Sequence, residues 1–242
     1  MLSLLQWNMR GYSQKRFHLE FLLNKTKAVC ACLQEMKLSR CTLSKFPLKD
    51  NFNLVTCECY SKDIGAGSAA IVVKKDATFT KMGNGNANFC KKRQHAAIIR
   101  LDVDGTTYTI CSIYLPPGNN LDTKALQSLL NSLPEPFIVL GDFNGRHQVW
   151  HDSISNTRGR KMARLFWKKN LTMLNTYGPT HVCPVSSNDS KNMGASEIET
   201  CLDLSLVSRD TKKKLNGYSW KTDTFLHKSD HFPIHVLLKL NQ

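Results

Sequence analysis

Acidic residues are scarce in this sequence and long apolar runs are missing. Its 242 residues hold 19 Asp+Glu against 33 Lys+Arg, a formal net charge of +14. A surface this cationic expects a polyanionic partner. No apolar stretch approaches the roughly 18 residues of a membrane span. The opening Met1 to Leu5 is interrupted by Gln6 and Asn8 before it could serve as a secretory core, so neither a membrane nor an export route is expected. Internal repeats, low-complexity linkers and shifts of composition are also lacking, and the length is read as one large domain, residues 1–242. With 41% hydrophobic and 21% charged residues, 13 Gly and 8 Pro, wholesale disorder, collagen and coiled coil are excluded. Structural zinc, which takes ligands two to four residues apart in paired knuckles, is the minor alternative for the cysteines. The nine cysteines are Cys30/Cys32, Cys41, Cys57/Cys59, Cys90, Cys111, Cys183 and Cys201, and the Cys-x-Cys pairs sit inside apolar runs. Reduced, buried strand thiols of a cytosolic or nuclear protein fit best.

What the sequence does have is a series of strand-length apolar runs: Leu2 to Trp7, Ala28 to Leu33, Leu54 to Cys59, Ser68 to Val73, Ala96 to Val103, Thr107 to Leu115, Phe137 to Leu140, Leu202 to Val207 and Ile234 to Leu238. Three stretches between them carry helical spacing. They are Lys15 to Asn24, with Phe17, Phe21 and Leu22 on one face; Asp122 to Ser132, capped by Asp122; and Arg160 to Lys169, with Gly159 before it. The pattern predicts an α/β sandwich, sheets inside and helices outside. Val185 to Glu199, the most polar stretch, reads as a surface loop or hairpin suited to recognition, and Lys212 to Lys214 as a solvated turn. Gly65-Ala66-Gly67-Ser68-Ala69-Ala70 imitates a dinucleotide fingerprint, but Ile71-Val72-Val73 continues as strand where that motif needs a helix. His227, His231 and His235 would form a metal face on a helix, which Pro233 argues against.

Several strands run out into a carboxylate or carboxamide: Asn8 after Gln6-Trp7, Glu35 after Leu33-Gln34, Asp142 and Asn144 in Gly141-Asp142-Phe143-Asn144, and Ser229-Asp230-His231 before the final strand. In α/β folds such ends are where chemistry gathers. A hard divalent cation takes oxygen ligands, and Glu35 with one or two Asp would suffice. A neutral imidazole oriented by a carboxylate is the usual base for water near neutral pH, and His231 with Asp203 or Asp230 supplies it.

The ordered set Gln6-Trp7-Asn8, Leu33-Gln34-Glu35, Ile113-Tyr114-Leu115-Pro116-Pro117, Gly141-Asp142-Phe143-Asn144, Cys201-Leu202-Asp203 and Ser229-Asp230-His231 resembles the exonuclease III / deoxyribonuclease I-like phosphodiesterase superfamily over nearly the whole chain. Gly141 to Trp150 followed by Asn156-Thr157-Arg158-Gly159-Arg160 is similar to the apurinic-like endonuclease domain of non-LTR retrotransposon polyproteins. The resemblance implies a four-layered sandwich of two mainly antiparallel sheets with helices outside. It implies Mg2+, with Mn2+ as a substitute, held by Glu35 with support from Asn8 and with Asp230 near the metal or the leaving oxygen. Tyr114 would contact the scissile phosphate, Asp142 and Asn144 would position the nucleophile and steady the transition state, and Asp203 would orient His231. The general base is assigned to His231, with Asp142 the alternative. Arg146, Arg158, Arg160 and Ser229 are candidate DNA contacts.

The expected activity is nicking of one strand of double-stranded DNA, leaving a 3′-hydroxyl that primes reverse transcription by a polymerase domain of the same polyprotein. Synthesis would be cytoplasmic and action nuclear, on DNA and not a small molecule. The chain is expected to be the amino-terminal part of that polyprotein, starting close to its native Met1. Two departures from the family pattern are Met36, where Thr is frequent, and His151, where Gly is frequent. Glu197 to Cys201 replaces the Gly-Trp-Arg-like segment of repair enzymes, which weakens the alternative of an abasic-site endonuclease. Phosphoinositide or sphingomyelin substrates would leave the positive charge unexplained. A DNA-binding module without catalysis is the alternative from another class, and the complete motif set argues against it.

Overall fold

The computed structural model describes residues 1–38, 48, 50–57, 68–83, 89, 93–118, 121–184, 197–224 and 229–241. In chain order the elements begin with β1 (Leu2–Asn8), α1 (Arg16–Thr26), β2 (Cys30–Gln34), β3 (Phe52–Thr56), β4 (Ala69–Lys74), β5 (Phe79–Lys81), β6 (His95–Val103) and β7 (Thr106–Tyr114). There follow α2 (Thr123–Ser132), β8 (Phe137–Asp142), α3 (Thr157–Lys168), β9 (Thr172–Met173), β10 (His181–Pro184), β11 (Glu197–Thr200), β12 (Asp203–Val207), α4 (Arg209–Lys213), β13 (Leu215–Thr222) and β14 (Ile234–Leu240). One six-stranded sheet has the order β13-β14-β1-β2-β4-β3 and the other β5-β6-β7-β8-β12-β9, with β10-β11 a separate pair. Only β1/β2 and β7/β8 among the described pairs run parallel.

Strand alternation builds the layers. Leu2 and Leu4 of β1, Cys30 and Cys32 of β2, Ile71 and Val73 of β4, Ile110 of β7 and Ile138 and Leu140 of β8 form a core between the sheets. The opposite parity, Leu5 and Trp7 with Ala31 and Leu33, packs under Leu19, Leu22 and Leu23 of α1. Val139, Leu204 and Leu206 of the second sheet meet α2 and α3. The result is helix, sheet, sheet, helix, the four-layered deoxyribonuclease I-like sandwich.

Helix ends follow their caps. Asp122 accepts from the Ala125 N–H, as expected for α2. α3 starts three residues before the predicted Arg160, because the Asn156 side chain accepts from the Gly159 N–H and caps it. Gly159 lies inside that helix, since a Cβ there would come within 1.9 Å of the Arg146 carbonyl oxygen. α1 buries Leu19, Leu22 and Leu23; of the predicted Phe17–Phe21–Leu22 face only Leu22 turns inward, while Phe17 and Phe21 point outward, beneath Arg16 and Lys25 respectively. Two apolar stripes compete on this helix, and the one fitting Leu5 and Trp7 takes the core. Lys212 and Lys213 belong to the last turn of α4 and not to a plain turn. Among the described cysteines, Cys30, Cys32, Cys57, Cys111 and Cys201 are buried, and Cys183 is exposed. Cys41, Cys59, Cys90, His227 and Gly65 to Gly67 lie outside the described residues. No described helix is long and apolar enough to cross a membrane.

Candidate active site

Each inter-sheet stripe turns polar at the same edge of the sandwich. On β1 the parity of Leu2 and Leu4 continues to Gln6 and Asn8; on β8 that of Ile138 and Leu140 ends in Asp142; on β12 Val207 and Ser205 lead back to Asp203. Register fixes the meeting, with Asp203 opposite Asp142 across the antiparallel β8/β12 pair and Tyr114 opposite Asp142 across the parallel β7/β8 pair. Gly141 allows the close approach, because a Cβ there would lie 1.9 Å from the Ile113 carbonyl oxygen. His231 enters just ahead of β14, its carbonyl accepting from the Trp7 indole N–H at 3.0 Å.

Polar contacts join these groups. His231 Nδ1 lies 2.7 Å from Asp203 Oδ2, and His231 Nε2 lies 3.9 Å from Asp142 Oδ2. The Asn8 carboxamide N–H donates to Asp142 Oδ2 at 2.9 Å and to Glu35 Oε1 at 3.0 Å, which ties the two sheets together. Asn144 donates to the Asp142 carboxylate from its backbone N–H and from its side chain, both at 2.9 Å. Glu35 and Asn144 both adopt φ of 50°, a left-handed conformation that is rare outside glycine and concentrates at functional sites. The Glu35 backbone is held there by Ser68 O, accepting at 3.1 Å, and by the Gly11 N–H, donating at 2.8 Å.

Burial sets the electrostatics. Asp142 is fully buried and His231 is 5% exposed. Burial raises the Asp142 carboxyl to about 7, against the lowering influence of His231 and the Asn8 and Asn144 donors. Burial alone would depress His231, but Asp203, then Asp142 and Asp230, outweigh it and lift the imidazole to about 9. Burial would raise Glu35, yet hydrogen bonds from Asn8 and Tyr114 and the Lys37 charge carry it below its usual range. Tyr114 is pushed well above its ordinary value, first by burial and then by Glu35 and Asp142, so it stands as a hydrogen-bond donor. Asp230 is drawn down to about 2, burial being outweighed by His181, His231 and Arg10.

The structure thus brings together Asn8, Glu35, Tyr114, Asp142, Asn144, Asp203 and His231. Asp230 lies beside them against Arg10 and 3.3 Å from His181. The Ser229 hydroxyl donates to Asn8 O at 2.8 Å and accepts the His231 N–H, so it braces the loop. The three arginines are engaged within the protein. Arg146 pairs with buried Asp152 at 2.8 Å, Arg158 donates to the carbonyls of Phe143, Leu115 and Gly118, and Arg160 to Ser155 O. Met36 is buried under α1's core, and the His151 ring sits 4.1 Å from that of exposed Tyr177. The stem of the hairpin expected over Val185 to Glu199 is formed by β10 and β11, while residues 185–196 lie outside the described residues.

Other contributors were given no role in the sequence analysis. Gln6 donates to Asp203 Oδ1 at 3.3 Å and accepts from the Ser205 hydroxyl. Thr180 Oγ1 accepts both the Leu202 and Asp203 N–H groups, and Asn175 donates to Asp203 O. Asp152 accepts the Cys201 N–H at 2.9 Å. Gln6 did carry a signal, as a polar residue at the parity of the inter-sheet core; the others look like ordinary surface residues. Around Glu35 the carboxylate supplies the oxygens that a hard divalent cation takes, steadied by the Asn8 carboxamide N–H and the Tyr114 hydroxyl, while the Asn8 Oδ1 accepts from the Arg10 N–H at 3.1 Å.

Fold and site together define a nuclease of the endonuclease/exonuclease/phosphatase kind. The chain belongs to the endonuclease-reverse transcriptase family, which residues 108–235 match. It is 28% identical over 180 residues, 74% of this chain, to the probable RNA-directed DNA polymerase from transposon X-element of Drosophila melanogaster. It is 20% identical over 243 residues, 98% of this chain, to the probable RNA-directed DNA polymerase from transposon BS of the same organism. The matched regions span only 19% and 24% of those two proteins. Among solved structures, the endonuclease domain of TRAS1, a telomere-specific non-LTR retrotransposon, superposes with a TM-score of 0.77 at 18% identity, covering 100% of both chains. The AP endonuclease LMAP from Leishmania major gives 0.71 at 16% identity, covering 99% of this chain and 88% of its own. The fold is therefore that of a non-LTR retrotransposon endonuclease domain.

Proposed function

We propose that this chain is a Mg2+-dependent DNA endonuclease that nicks one strand and leaves a 3′-hydroxyl used to prime reverse transcription of a retrotransposon by a covalently linked polymerase domain. The observation that carries this reading is the buried Asp203–His231–Asp142 array beside the Glu35–Asn8 pair. Glu35, supported by Asn8, would hold the cation, for which Mn2+ would substitute. The ion, when bound, offsets charge on the scissile phosphate.

The residues supply the remainder. Asp203 fixes the ring of His231; with the imidazole lifted to about 9, Nε2 accepts the proton of the attacking water in the fraction of molecules that enter with the ring neutral, and Asp203 stabilises the imidazolium that forms. Asp142, 3.9 Å from that nitrogen and raised to about 7 by burial, faces the same water as the alternative base. The Asn144 carboxamide and the Tyr114 hydroxyl donate to phosphate oxygens as charge builds on them, and Asp230 borders the leaving oxygen. The net charge of +14 favours duplex DNA through counterion release, and Arg146, Arg158 and Arg160 line the catalytic loop that the DNA backbone would approach. Synthesis is cytoplasmic and action nuclear, where the target DNA lies.

Relaxation of supercoiled plasmid at low salt tests the reading, with Mg2+, EDTA, Glu35→Ala and His231→Ala side by side. Nicking with Mg2+ alone, lost in both variants, is expected; nicking by both variants at the wild-type rate would overturn it. An abasic duplex in parallel separates the repair activity, which requires a strong preference for the lesion. Salt-sensitive binding without nicking would point to the inactive DNA-binding module.

A further inference from the structure

Beside the array stands an imidazole outside the assigned chemistry. His181 opens β10 and faces His231 in an isolated antiparallel bridge. The hairpin root is fastened to the catalytic segment by the Val182 N–H donating to Asp230 O and the Phe232 N–H donating to Thr180 O, both at 2.8 Å. The rings of His181 and His231 lie 4.6 Å apart between centroids in an edge-to-face arrangement. One donor atom from each of His181, Asp230 and His231 can be chosen so that all lie within 4.8 Å of one another, and among the described residues no other group of three His, Cys, Asp or Glu does so. Glu35 is outside this group.

Three further features mark the cluster as a ligand set. Each ring has its Nδ1 engaged by an outer partner, Thr200 Oγ1 at 2.9 Å for His181 and Asp203 Oδ2 at 2.7 Å for His231, which leaves the Nε2 atoms for a ligand, that of His181 3.3 Å from Asp230 Oδ2 and that of His231 3.9 Å from Asp142 Oδ2. That second contact is what metal-binding histidines characteristically make. Asp230 Oδ1 is a buried carboxylate oxygen with no hydrogen-bond partner, although Oδ2 meets Arg10 and His181. Two imidazoles and one carboxylate select a borderline transition metal and not magnesium, and three ligands with one position open suit tetrahedral zinc.

We propose that His181, Asp230 and His231 form a zinc site, separate from the Glu35 site, whose occupation stops catalysis by taking the Nε2 lone pair of His231. The inhibition rests on the nuclease reading above; the binding does not. Zinc takes the place of any proton on the two Nε2 atoms, and it fastens the root of the recognition hairpin to the catalytic loop. Micromolar zinc is therefore expected to hold the enzyme off even with magnesium in excess, since magnesium takes imidazole ligands poorly.

The test uses Co2+ as a spectroscopic substitute and zinc as the inhibitor. Wild-type protein should give the visible absorption of tetrahedral cobalt without the sulfur charge-transfer band that a cysteine ligand would add. His181→Ala should lose at least about 10–100-fold in cobalt affinity, the loss that even an outer partner's removal produces. Thr200→Val, which removes only the Nδ1 partner, should lose about 10-fold. In the plasmid assay zinc should stop the wild type, while His181→Ala should keep nicking at the same zinc concentration and match the wild type within a few-fold in magnesium alone. A thiolate band, cobalt affinity unchanged in His181→Ala, or equal zinc sensitivity of both proteins would overturn the proposal. Absence of nicking in magnesium alone would instead sink the nuclease reading, and the cobalt spectra would still decide the site.

Discussion

Replacing Asp203 with asparagine removes one negative charge from the buried array and keeps its shape. Asp203 is 1% exposed, and its Oδ2 is the strongest upward influence on His231, which stands at about 9 against an ordinary 6.5. At roughly 1.4 kcal/mol per unit, that difference is about 3 kcal/mol of preference for the imidazolium. Above pH 9, where His231 enters the reaction neutral, the same preference is available to a transition state in which His231 carries the water's proton. Its loss corresponds to about 100-fold in rate, at the lower end of the roughly 10²–10⁴ ascribed to positioned acid–base groups. The carboxamide introduced by Asp203→Asn can still meet Gln6, and the backbone contacts of that position to Thr180 and Asn175 do not involve its side chain. Folding should survive. The assay pairs initial nicking rates, measured above pH 9, with NMR titration of the His231 ring. Nicking is expected to fall about 100-fold or more and the titration to move down by roughly 1–3 units. A variant that nicks within three-fold of wild type, or a His231 titration that stays in place, would refute the reasoning.

Metal-free stability should decline as pH rises. Asp142 and His231 both have folded-state values raised, to about 7 and about 9, so their contributions are complete below the unfolded values near 4 and 6.5 and are lost as pH climbs through 7 and then 9. Melting of EDTA-treated protein should drop by several degrees from pH 6 to 9, and His231→Ala should flatten the upper part of that slope; a wild-type curve flat over the range contradicts the assignment. Gly141→Ala should destabilise by about 1–3 kcal/mol or more and abolish nicking, because the new Cβ meets Ile113 O in the strand pair that sets Tyr114 opposite Asp142; an unchanged melting temperature would show that the sheet gives way. Glu35→Gln should lose Mg2+-dependent nicking while retaining duplex binding by gel shift at low salt; lost binding would mean that Glu35 shapes the DNA surface itself.

The candidate site was legible because its residues interrupt an alternation. Asn8, Glu35, Asp142 and Asp203 all fall where apolar strands run out, and strand parity alone places three of them on the inter-sheet face. Edge strands were harder to read. β13 exposes half of its eight residues and buries only Trp220, so its pattern is faint, and β5 and β9 have three and two residues. The start of α3 was hidden by Gly159, which reads as a breaker but stands inside the helix for clearance from Arg146. The outer shell of Thr180, Asn175 and Asp152 was illegible for another reason: each acts through backbone groups of segments distant in the chain, which no local pattern encodes. Likewise, Arg146 and Arg158 look like free cations in the sequence, and only the packed loop shows Asp152 and the carbonyls that receive them.

The most direct measurement is to map the ends left on supercoiled plasmid after incubation with Mg2+, wild type beside His231→Ala. The account predicts single-strand breaks whose ends a DNA polymerase extends without prior phosphatase treatment, 5′-phosphates on the other side, and no breaks from His231→Ala. Breaks ending in 3′-phosphate, or the same breaks from His231→Ala, would contradict it.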